Sequence, residues 1–119
     1  MASRKDQVDA IFRRLARGEL SPPTTLEQSG WEMSLPSGRT VARSTLQAEA
    51  RPLIALGADA VPALLSWAAN DDLALRYVAA YALEQITGET PYVPHFDRTD
   101  AEAHRRKALD VWRRWYEAR

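Results

Sequence analysis

Cysteine is absent from the 119 residues. That single absence excludes disulfide scaffolds, thiolate zinc sites, iron–sulfur ligation and cysteine nucleophiles together. An excess of either charge is also missing: sixteen Lys and Arg residues balance sixteen Asp and Glu residues. Proteins dedicated to DNA or RNA usually carry a basic excess, because their affinity comes largely from phosphate neutralisation, so the balance argues against that role. No uninterrupted apolar run approaches the ~20 residues of a membrane helix, and no apolar stretch follows Met1-Ala2-Ser3-Arg4-Lys5 as in a secretory leader. These readings predict a cytoplasmic protein with no membrane partner. Gly-x-Ser-x-Gly and glycine-rich phosphate loops are lacking as well, so no nucleophile elbow or phosphate cradle is expected.

What is present is helical periodicity. The composition is 45% hydrophobic and 27% charged, enough for one globular domain over 1–119 without a staple. Val8, Ile11, Phe12 and Leu15 form one stripe and predict a helix over 5–17, stopped by Gly18 and Pro22-Pro23. Residues 19–43 break that pattern. Trp31, Met33 and Leu35 alternate with polar residues, Pro36-Ser37-Gly38 is a turn signal, and Thr40-Val41 offers a return strand, so a short hairpin or an irregular insert is expected there. Ser44 and Gln47 have the spacing of a capping box for a helix to about Leu56, which Pro52 should kink or divide.

Asp59 is placed to cap the next helix, with Pro62 in its first turn and Val61, Leu64, Leu65 and Ala68 inward. Asn70-Asp71-Asp72 stops that helix and caps its successor. The strongest stripe follows over 72–87, with Leu75, Val78, Ala79, Ala82, Leu83 and Ile86 at helical spacing. Thr99 and Glu102 suggest a capping box for a last helix over about 100–118, with Ala108, Leu109, Val111, Trp112, Trp115 and Tyr116 inward. Short links at Gly57-Ala58 and Asn70-Asp71 force neighbouring helices antiparallel. The expected fold is all-α, built from antiparallel helix hairpins.

Residues 58–88 carry a family pattern: Ala58-Asp59-Ala60-Val61-Pro62-Ala63-Leu64-Leu65, the polar turn Asn70-Asp71-Asp72, Leu75-Arg76, and Ala79-Ala80-Tyr81-Ala82-Leu83 ending in Ile86-Thr87-Gly88. This stretch resembles a bacterial HEAT-like repeat of the armadillo type. One repeat is clear, and residues 44–56 and 100–118 look like degenerate flanking helices. The resemblance implies a HEAT-like α–α array with the 19–43 segment as an insert, and a turn acid and arginine that pair with neighbouring repeats. It places Trp67 in the core and Tyr77 and Tyr81 at solvent-facing positions. HEAT-like arrays are mainly protein-binding scaffolds, while the resembling base-excision glycosylases are longer and basic. The resemblance therefore implies a non-enzymatic protein–protein interaction module without a cofactor. An adaptor, or an inhibitor of the immunity type that blocks a toxin, suits the small size; the alternative is nucleic-acid binding through the basic last helix.

The candidate partner-binding residues are Arg76, Tyr77, Tyr81 and Trp31. Tyrosine, tryptophan and arginine are the usual hot-spot residues; against that, the last helix or the Tyr92–Phe96 segment would cover the tyrosines, and Trp31 would serve only to dock the hairpin. His95, Asp97, Asp100 and His104 form a weak metal-ligand candidate, since Asp100 and His104 share a helix face at i, i+4, but Asp100 is equally placed as a helix N-terminal acid. Arg105, Arg106, Lys107, Arg113 and Arg114 make the last helix locally basic, with Asp110 and Glu117 interleaved as on a solvated face.

Overall fold

The stripe through Val8, Phe12 and Leu15 becomes helix α1, Arg4–Ala16, in the computed structural model, which describes residues 3–20, 32–91 and 101–119. Ser3 caps it by accepting the Asp6 N–H at 3.1 Å, which satisfies a first-turn donor. Gly18 closes it at a φ of 79°, a conformation that suits a residue without Cβ.

The described part of the insert is an antiparallel hairpin. Strand β1, Glu32–Ser34, pairs with β2, Thr40–Ala42, in the register Met33 opposite Val41. Met33, Leu35 and Val41 point inward and are buried, while Glu32, Ser34 and Thr40 face out, as period-two alternation requires. The inward row packs β1 on helix α5, described below, and the turn sits on the end of α1, where Arg39 Nη1 donates to the Gly18 carbonyl at 3.0 Å. A Cβ at Gly18 would lie 2.7 Å from Ser37 Oγ. Gly18 thus serves both the helix stop and the close approach of the hairpin.

Helices α2, Arg43–Glu49, and α3, Arg51–Ala55, are the two halves of the segment that Pro52 divides. Pro52 falls in the first turn of α3, where its missing N–H has no intrahelical partner to lose. A 3-10 turn, Gly57–Ala60, leads into α4, Val61–Ala68; α5 spans Leu73–Thr87 and α6 spans Ala101–Glu117.

Two expected caps are not made. Helix α2 begins two residues early, with Ala42 at its N-cap and no side-chain cap, so Ser44 lies inside the first turn and its buried Oγ has no partner among the described residues. Asp59 is absorbed into the 3-10 turn, and α4 starts from Ala60 without a side-chain cap. The cap at Asp72 does form: its Oδ1 accepts the Leu75 N–H at 3.0 Å. The Thr99–Glu102 capping box lies outside the described residues.

The antiparallel α4–α5 hairpin is the centre of the molecule. Helices α1 and α6 pack beside α4, whereas α2, α3 and the β-hairpin pack on α5. The result is two tiers of helices in a slab with extents of 41 × 39 × 22 Å, the short dimension suiting two helix layers with their side chains. Nine residues of α5, from Ala74 to Ala80 plus Ala82 and Leu83, are buried. Its burial therefore extends well beyond the one stripe expected from the sequence.

Gly88, at a φ of 76°, has open space around the position a Cβ would take. Gly88→Ala is therefore expected to cost about 1 kcal/mol, the left-handed penalty alone. Gly18→Ala adds the collision with Ser37 and is expected to cost about 2 kcal/mol or more. Urea unfolding of the two variants checks this ordering; equal losses would show that the hairpin does not press on Gly18.

Candidate functional site

Helix α5 does not present the expected partner-binding patch. Tyr77 is buried, and its hydroxyl accepts a hydrogen bond from Gln47 Nε2 of α2 at 2.9 Å. Its ring stacks on Tyr81 with centroids 6.3 Å apart and planes 22° apart. Burial pushes the Tyr77 phenol above its ordinary value, against the opposing pull of the Gln47 hydrogen bond. The solvent-facing placement expected for Tyr77 is thereby corrected: α2 covers it. Tyr81 is half-buried at the edge of the same face, and burial also raises the nearby Glu84 carboxyl.

Arg76 is buried too and takes a structural post. Its Nη1 donates to the carbonyls of Asn70 and Asp71, at 3.1 and 3.4 Å. Its Nε, also buried, has no hydrogen-bond partner among the described residues. The turn that it holds is further ordered from within, since Asn70 Oδ1 accepts the Asp72 N–H at 2.8 Å.

The same turn is approached from the other tier. Arg105 of α6 directs its Nη1 to the Asn70 carbonyl at 3.5 Å and lies 3.9 Å from the Asp71 carboxylate. Arg105 is 17% exposed, whereas the Asp71 side chain is fully in solvent, so this long ion pair is weak. Two guanidinium groups, Arg76 and Arg105, thus converge on one neutral carbonyl oxygen. Beside them opens a cleft of about 320 Å³, lined by Ala69, Asp71, Arg105, Arg106 and Leu109. Alkyl surface from Ala69 and Leu109 meets the two lining arginines there, with Asp71 at the rim.

On its other flank α4 is fastened to α1 by an interaction not read from the sequence. Trp67 Nε1 donates to Asp9 Oδ1 at 2.7 Å, and Lys5 Nζ reaches Asp9 Oδ2 at 2.7 Å. The Trp67 ring stacks on Phe12, with centroids 4.6 Å apart and planes 9° apart. The Lys5 hydrogen bond, followed by that from Trp67, holds the Asp9 carboxyl below its ordinary range. Arg14 and the buried Glu49 tie α1 to α2 at 3.4 Å. Lys5 and Asp9 are a local i, i+4 pair, but the second partner of Asp9 stands 58 residues away.

Trp31, His95, Asp97 and Asp100 lie outside the described residues. His104 is exposed on α6. Among the described residues no group of three or more His, Asp and Glu side chains is placed to hold a metal ion. No described helix is long and apolar enough to cross a membrane.

The depressed Asp9 value has a definite consequence for stability. Its contribution is complete above the ordinary value of 3.8 and is lost as pH falls through the lower folded value. The stability gap between the native chain and Asp9→Asn should therefore hold down to about pH 5 and narrow as pH falls below 3.8 towards the lower folded value. Urea unfolding across that range checks it, and a gap independent of pH would remove Asp9 ionisation from the α1–α4 link.

Comparison with protein-family models, with curated proteins and with solved structures finds no match to this chain.

Proposed function

We propose that the chain is a non-enzymatic protein-binding module, a HEAT-like adaptor or inhibitor, whose recognition surface is the α4–α6 face. The observation that carries the reading is the cleft at Ala69, Asp71, Arg105, Arg106 and Leu109. It sets arginine beside alkyl surface, the composition typical of protein interfaces. Helix α5 is too deeply buried to fill that role.

Two tiers of helices around a central α4–α5 hairpin support the HEAT-like assignment, as does the grip of Arg76 on the Asn70–Asp72 turn. The displaced carboxylates and phenol have packing explanations: Asp9 belongs to the α1–α4 seam, and Tyr77 and Glu84 to the covered face of α5. That distribution favours a scaffold over acid–base chemistry. An inhibitor of the immunity type is the narrower form of the proposal.

The basic character of α6 is the observation behind a nucleic-acid reading. Asp110 offsets part of it by pairing with Arg114 at 2.9 Å and Arg113 at 3.8 Å. A phosphate-tracking helix keeps its cations available for phosphate, so these pairs favour a protein partner.

A photo-crosslinking residue placed at Leu109 tests the proposal in the native host. The expected result is one covalent protein adduct, identified by mass spectrometry, that disappears when Arg105→Glu is added to the same chain. A crosslinker at Gln85 of α5 should leave that adduct unformed. Adducts to nucleic acid at Leu109, or a protein adduct at Gln85 alone, would overturn the assignment.

A further inference from the structure

Arg76 and Arg105 share an electrostatic problem. Both guanidinium groups reach the Asn70 carbonyl oxygen, Arg76 from below in α5 and Arg105 from α6. A carbonyl carries only a partial charge and cannot neutralise two cations. The Asp71 carboxylate stands 3.9 Å from Arg105 and is fully solvated. Arg76 makes its hydrogen bonds to backbone carbonyls, and its buried Nε has no partner among the described residues. These charges lie at the turn between the C-terminal end of α4 and the Asp72-capped N-terminal end of α5, where the two helix dipoles oppose each other. An anion in the adjoining cleft meets Arg105 and Arg106 in its lining and Arg76 only at longer range behind the turn, and Arg105 can offer it a planar fork of donors.

The geometry points to a carboxylate-anchoring site: we infer that the cleft of Ala69, Asp71, Arg105, Arg106 and Leu109 takes an acidic side chain of a partner peptide, with a neighbouring apolar side chain on Leu109 and Ala69. This rests on the protein-binding reading above and specifies the chemistry of the partner. A cleft of about 320 Å³ accommodates a few side chains and is at the small end of ligand sites. Asp71 in its lining, followed by Asp72 in the sequence, repels a polyphosphate of several charges more strongly than a single carboxylate. The apolar wall has nothing to offer an inorganic anion and adds contact area for a peptide.

The test is a residue-resolved NMR titration of the full chain. The probe is acetyl-Glu-Leu-Glu-Leu-amide, compared with the same peptide carrying Gln for Glu, with inorganic phosphate and with an oligothymidylate single strand, all at about 150 mM salt. The acidic peptide is expected to give saturable shifts at Asn70, Asp71, Arg105 and Leu109. The Gln peptide should bind at least about 10-fold more weakly. Arg106→Gln, an exposed change that spares the turn, and Leu109→Ala should each weaken the acidic peptide, while Arg113→Gln should not. Arg105→Gln should abolish the shifts, with a retained thermal transition showing that the fold persists.

No saturable shift, equal binding of the Gln peptide, or phosphate binding as tightly as the peptide would overturn the inference. So would tighter binding of the oligonucleotide, which would assign the cleft to nucleic acid. Failure here is separable from failure of the broader reading: a protein adduct at Leu109 that survives Arg105→Glu keeps the face as an interface and removes the carboxylate anchor.

Discussion

A helix with nine of its fifteen residues buried must be met by packing partners around much of its surface, and α5 imposes that condition on the whole molecule. Among these buried residues Leu75, Tyr77, Val78 and Leu83 supply the bulk, and the four alanines Ala74, Ala79, Ala80 and Ala82 let neighbouring backbones approach. Large and small side chains in alternation allow close interdigitation, the state in which interiors gain most from dispersion and burial. Helix α4 covers one side, α2 and α3 another, and β1 the remainder. The β-hairpin thereby has a structural purpose, because its row of Met33, Leu35 and Val41 completes the wall around α5.

The same condition fixes which side chains of the central hairpin remain accessible. Once α5 is enclosed, its arginine turns inward and secures the α4–α5 turn. Tyr77 becomes a hydrogen-bond acceptor for Gln47. The outer tier of α1, α4 and α6 then carries accessible relief, and Arg105 and Arg76 meet on one carbonyl at the end of that tier. Stability at the turn and charge at the cleft are two results of one arrangement.

Local rules made much of this legible. Period 3.6 located α1, α4, α5 and α6, period two located the hairpin, Pro52 divided the segment between α2 and α3, and Asp72 and Gly88 marked the ends of α5. Local rules misplaced Ser44 and Asp59: α2 starts directly from the extended end of β2 at Ala42, ahead of the serine, and α4 continues out of the 3-10 turn, whose Ala60 already has helical backbone. The repeat resemblance misjudged Tyr77, which is buried. A stripe tells which face is most apolar, but whether the opposite face is covered depends on elements distant in the chain, here α2 and the hairpin. The link from Asp9 to Trp67 and the meeting of Arg105 with Asn70 were beyond reach for the same reason: each joins residues at least 35 positions apart.

Residue-resolved amide hydrogen exchange under native conditions tests the enclosure of α5 most directly. If α5 is the covered hub, its amides from Val78 to Leu83 exchange only through global unfolding, at one common free energy, and those of the outer helix α6 open earlier. Exchange of α5 through local opening, ahead of α6, would contradict the account and return α5 to the accessible surface.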